Sequence, residues 1–143
     1  MNNEFIKYHA ASDTYIVQKK AYFEDAVAID GNVMVGAGAN FWQGLTVSGS
    51  LELGKGSFVK GDVRAENAII GSRTEITGSV DVENGLTLLD EVAIAGSATC
   101  GGEMLVRPGC SIAFAKADST LELIGKVDVK EIESGTKVIV RSE

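Results

Sequence analysis

Residues 70–106 read I-G-S-R-T-E / I-T-G-S-V-D / V-E-N-G-L-T / L-L-D-E-V-A / I-A-G-S-A-T / C-G-G-E-M-L / V. Ile70, Ile76, Val82, Leu88, Ile94, Cys100 and Val106 recur every sixth residue, and a second apolar or small residue follows each of the first six four places later (Thr74, Val80, Leu86, Val92, Ala98, Met104). A helix repeats near 3.6 residues, and a hairpin strand has no reason to reset every six. Short strands joined by corners fit the spacing. Each hexad is then one side of a coil, with positions one and five pointing inward.

Working outward, the same step runs back from Ala65 through Val59, Leu53, Val47, Phe41 and Val35 to Ile29, Phe23 and Val17, with one step of five between Ala65 and Ile70. Sorted by threes, the hexads fall into corner classes. Val35, Leu53 and Ile70 are each followed by glycine (Gly36, Gly54, Gly71). A second class carries Gly61, Gly78 and Gly96 at its third position, and a third carries Gly31, Gly49, Asn67, Asn84 and Gly102. Glycine and asparagine tolerate positive φ, so these positions are expected to be left-handed corners. Three sides in 17 or 18 residues predict an all-β fold, a single-stranded triangular parallel β-helix of roughly seven coils and roughly 30–35 Å.

Residues 1–16 precede the repeat and read as an N-terminal tail or cap, 17–140 as the β-helix domain and 141–143 as a C-terminal tail. Beyond Ile112 the alternation loosens: Phe114, Lys116 and Asp118 interrupt it, so A-F-A-K-A-D-S-T is expected to form a bulge or loop. Leu121, Leu123, Val127 and Val129 resume the alternation, and Val138 and Val140 close it.

Composition bounds the function. The 143 residues are 45% apolar, enough for one buried core, and 17 glycines beside the single Pro108 suit many tight corners. A net charge of −7 with no run of Lys and Arg argues against a nucleic-acid surface. Cys100 and Cys110 fall at inward positions as small hydrophobes, and with no signal peptide or apolar span in the sequence the expected location is the cytoplasm. Gly49-Ser-Leu-Glu-Leu-Gly54-Lys55-Gly56 approaches a phosphate-binding loop but has Gly56 where Ser or Thr is required, and no helix pattern follows.

A solenoid packs each coil only against its neighbours, so both terminal coils leave a face unmatched. No amphipathic helix pattern flanks the repeat to cover them. End-to-end stacking is expected to use inward positions of the end coils: Val17, Phe23 and Val27 at one end, and Val127, Val129, Val138 and Val140 at the other. Trp42 follows inward Phe41 and should point outward, as a candidate lateral patch.

The run Gly61-D-V-R-A-E-N-A-I-I-G-S-R-T-E-I-T-Gly78-S-V-D-V resembles the repeat of bactofilins, polymer-forming cytoskeletal proteins, over about residues 29–112. The resemblance implies a right-handed β-helix. It also implies a non-enzymatic homopolymer that forms head to head and tail to tail, with no nucleotide, metal or other cofactor. Such a polymer acts as a scaffold for other cytoskeletal or cell-envelope proteins, often near the membrane. Residues 1–9 do not clearly match the family's membrane-targeting tail, which leaves membrane association open.

The hexapeptide pattern also resembles left-handed β-helix acyltransferases, whose trimeric sites depend on histidine. The sole histidine, His9, precedes the repeat. A β-helix that does not polymerise, acting as partner of a larger polymer, is the third reading.

Overall fold

In the computed structural model, which describes residues 5–135 and 137–142, each hexad from Val17 to Leu88 contributes one short strand and a corner. Of the sequence-assigned tails, residues 1–4 and Glu143 lie outside the described residues. All first-position side chains from Val17 to Ile112 are buried, and so are the fifth-position residues Ala39, Ser57, Thr74, Val80, Leu86, Val92, Ala98 and Met104. The core is a stack of these columns.

Three faces surround it. Face one is a nine-stranded sheet containing Thr14–Val17, Asn32–Val35, Ser50–Leu53, Asn67–Ile70, Leu86–Leu88, Met104–Val106, Thr120–Ile124 and Lys137–Arg141, all parallel. We number coils 1–7 from the first seven of these. The eight strands give about seven coils, a rod of roughly 34 Å at a strand spacing of ~4.8 Å. Faces two and three are separate in coils 1–4, where Tyr22–Phe23, Asn40–Phe41, Phe58–Val59 and Glu75–Ile76 line one and Val27–Ile29, Leu45–Val47, Val63–Ala65 and Val80–Val82 the other. In coils 5–7 they are joined by continuous strands that cross the corner: Ala93–Cys100, Ser111–Ala117 and Asp128–Ser134.

That joining corrects the expectation for residues 113–120. The A-F-A-K-A stretch is a strand, and its inward residues are Ala115 and Ala117. Ile94 pairs with Ile112 but Ser97 pairs with Phe114, so Ala95 and Gly96 together oppose Ala113. One residue fewer at this bulge reverses the alternation after Ile112.

The corners also differ from expectation. Gly31 and Gly61 have positive φ, but Gly36, Gly54, Gly71, Gly78, Gly96, Gly49, Asn67, Asn84 and Gly102 do not. The left-handed residue between faces one and two sits two places beyond the conspicuous glycine, at Lys20, Gly38, Gly56, Arg73, Glu91 and Gly109 in successive coils. The preceding glycine is small for another reason: the coils stack there. A β-carbon on Gly54 would lie 2.5 Å from the carbonyl carbon and oxygen of Gly36 and 2.6 Å from Val35 O, all backbone atoms. Asn67 serves a ladder instead, its Oδ1 accepting the Gly85 amide at 3.3 Å as Asn32 Oδ1 accepts the Ser50 amide at 2.9 Å. Gly54→Ala is therefore expected to cost about 1–3 kcal/mol in urea unfolding. Gly56→Ala meets no neighbouring atom but must hold φ at +66°, so it should cost about 1–2 kcal/mol from the backbone alone.

Candidate functional site

The two ends of the rod differ. At the N-terminal end, Ile6–His9 adds an antiparallel strand to the outer edge of Thr14–Val17, with a short 3-10 turn at Ala10–Ser12 between them. The register opposes Ile6 to Val17 and Tyr8 to Tyr15, so one side of the added strand faces the coil. Half-buried Phe5 meets Phe23 edge-on at 5.9 Å, and its carbonyl accepts the Gln18 amide at 2.9 Å. The ring of Tyr8 lies 4.9 Å from that of Tyr15, and its hydroxyl donates to Asp13 Oδ1. That hydrogen bond to a carboxylate raises the Tyr8 phenol above its ordinary pKa. Val17, opposite Ile6, and Phe23, against Phe5, lie beneath this hairpin, and Val27 is buried as well. All three sequence-selected positions are thus buried, two of them under the hairpin. The strand Tyr22–Phe23 pairs only with coil 2, as does Val27–Ile29.

The C-terminal end is open over the described residues. Val138 and Val140 continue the inward columns of Leu121 and Leu123, and Val129 and Ile132 those of Ile112 and Ala115. In the preceding coils those columns are buried. Here Val127 and Val129 are half-buried, Ile132 and Val138 are exposed, and Val140 is 72% exposed. Asp128–Ser134 and Lys137–Arg141 each pair on one side only, leaving two rows of backbone groups along the same surface. The structure brings Val127, Val129, Val138 and Val140 together on this surface, and Ile132 joins them. Sequence reading missed Ile132 because the bulge had shifted the alternation.

On the flank, Trp42 is 40% exposed and is one of three neighbouring rings. Its centroid lies 6.1 Å from that of Tyr22 and 5.7 Å from that of Phe58, and Lys60 Nζ sits 5.6 Å over it. Sequence reading found Trp42 but not its partners, because Tyr22 and Phe58 come from adjacent coils. Beside the rings runs the edge joining faces one and two, with exposed Lys19, Lys20, Lys55 and Arg73. Lys20 and Arg73 hold left-handed backbone, with φ of 60° and 58°. For a residue with a β-carbon that conformation costs about 1–2 kcal/mol.

Other features carry less. His9 is exposed on the hairpin, its Nδ1 2.7 Å from Ser12 Oγ. Among the described residues no group of three or more His, Cys, Asp and Glu could hold a metal ion, and no helix is long and apolar enough to cross a membrane. Open grooves of about 510 Å³ each run along face one, past Met34 and Ile69 and past Leu105 and Ile139. Cys100 and Cys110 are unpaired and buried, and burial raises both thiols above the usual range. Comparison of the chain with protein-family models, curated proteins and solved structures finds no match.

Proposed function

We propose that the protein is a structural scaffold that assembles end to end through its terminal coils and works without nucleotide or metal. The uncovered C-terminal coil carries this reading. Its inward columns hold Val127, Val129, Ile132, Val138 and Val140, where the same columns one coil earlier are closed. Fully burying a large aliphatic side chain contributes roughly 1.5–3 kcal/mol, and two copies meeting here would cover several at once. They would also pair the open strand edges. A two-fold contact places the same strands opposite one another in antiparallel sense, so each unpaired row finds its complement.

Growth into filaments needs a second junction at the N-terminal end. There the hairpin covers Val17 and Phe23, leaving the outer edges of Ile6–His9, Tyr22–Phe23 and Val27–Ile29 and the exposed Tyr8. Pairing through C-terminal coils is thus the first step, and extension through the hairpin ends the second. The likeness of residues 61–82 to the bactofilin repeat points the same way. It extends the reading to a scaffold for other cytoskeletal or cell-envelope proteins, with or without membrane contact. Two unpaired cysteines suit a reducing compartment, so the reading places the rod in the cytoplasm. It assigns catalysis to no residue.

Analytical ultracentrifugation of the full chain and of Val138→Asp/Val140→Asp tests the reading. The native chain should associate with concentration. The variant, with carboxylates in the junction, should dissociate at roughly thirtyfold higher concentration or more, while keeping its circular dichroism spectrum. A native chain that stays monomeric at high concentration would sink the proposal, and undiminished association of the variant would remove the C-terminal coil from it.

A further inference from the structure

We infer that the edge joining faces one and two in coils 1–4, with the aromatic cluster beside it, is a docking surface for an extended acidic segment of a partner protein. The inference is independent of end-to-end assembly. Its first support is charge. The chain carries −7 overall, yet this edge presents Lys19, Lys20, Lys55 and Arg73 and no carboxylate until Asp90 and Glu91 in coil 5. None of the four cations has an ion-pair partner among the described residues. The ion pairs that do form, such as Arg107 with Asp90 and Arg141 with Glu122, belong to the later coils.

The second support is the backbone. Coils 2, 3 and 6 place glycine at the left-handed corner, but coils 1 and 4 place Lys20 and Arg73 there. Within coils 1–4 both non-glycine residues held in this conformation are exposed cations, and the one acid at an equivalent corner, Glu91, lies in coil 5 beyond the edge.

The third support is the aromatic cluster, which narrows the partner. Tyr22 and Phe58 lie on strands that leave this edge, and Trp42 directly follows the strand between them. Their rings are tilted by 50° and 57° to one another, so they offer no parallel platforms for successive bases. Glu24 and Glu75 stand in the same outward columns and would repel a continuous phosphate backbone. Separate carboxylates alternating with proline or apolar residues meet neither obstacle. The cations span three coil steps, roughly 15 Å, which four or five residues of extended chain cover. A peptide lying along the rod would set its carboxylates on Lys19, Lys20, Lys55 and Arg73 and lean its apolar residues on Trp42.

Trp42 is the sole tryptophan and reports the event directly. The full chain is titrated at low salt with a ten-residue peptide alternating glutamate and proline, a lysine–proline counterpart, a decathymidylate strand and phosphatidylserine vesicles. The expected result is a saturable change in Trp42 emission with the glutamate–proline peptide alone. Affinity should fall about tenfold or more in Lys55→Glu/Arg73→Glu and in 0.5 M salt, as expected for exposed charge pairs. Lys126→Glu/Lys130→Glu makes the same change in net charge at the far end and should bind as the native chain does. No saturable response to the acidic peptide up to about 1 mM overturns the inference. Tighter binding of the oligonucleotide or the vesicles, or equal losses in the two double variants, also overturns it.

Discussion

Phe41→Ala is expected to be the most damaging single truncation in the rod, costing about 3–5 kcal/mol. Phe41 is fully buried in coil 2 and stacks on Phe23 of coil 1, with ring centroids 5.1 Å apart and planes 13° from parallel. Truncation leaves a cavity between two coils and strips Phe23 of its neighbour. Coils are held only by those above and below, so the loss should be local. Hydrogen exchange should show protection falling in coils 1–3, with coils 5–7 little changed. A uniform loss along the chain would mean that the rod unfolds as one unit and that neighbour-only coupling is wrong.

Removing residues 1–12 is expected to have the second-largest effect, on size as much as on stability. The deletion strips the antiparallel strand from Thr14–Val17 and the half-buried Phe5 and Ile6 from the core. From the apolar surface alone the loss should be about 2–4 kcal/mol. It also exposes Val17 and Phe23 beside unpaired strand edges, turning the covered end into a second apolar junction. If the native chain assembles as proposed, the shortened chain should form longer assemblies at lower concentration, visible by negative-stain microscopy and by sedimentation. If its size distribution matches that of the native chain, the first coil holds no latent junction.

The sequence revealed most of the fold because a solenoid interior leaves little freedom at inward positions. One misplaced residue would put a polar group against two coils, so the columns from Val17 to Ile112 stand out. Corners are less legible. Only a few need positive φ, and Lys20, Arg73 and Glu91 meet that need without being glycine. Many of the glycines that are conspicuous in sequence, Gly54 among them, are required by the approach of stacked backbones. The bulge opposite Ala113 hid the inward roles of Ala115, Ala117 and Ile132. The candidate surfaces were legible in proportion to how local they are. The C-terminal valines alternate within one stretch, but the basic edge draws on residues from three coils, which only the stacked columns align. A cap at residues 1–16 was one of two sequence expectations, but its hairpin form was hidden, since four residues of antiparallel strand leave almost no pattern.

Where the faces meet also bears on how the rod carries load. In coils 5–7, unbroken strands cross the corner between faces two and three, and each is hydrogen-bonded to its neighbours on both. In coils 1–4 that corner is a gap between short strands. Torsion applied along the axis would meet a braced prism toward the C-terminal end and a hinged one toward the N-terminal end. Two rods joined at their C-terminal coils would therefore have a stiff middle and compliant tips, and bending would concentrate at the hairpin ends.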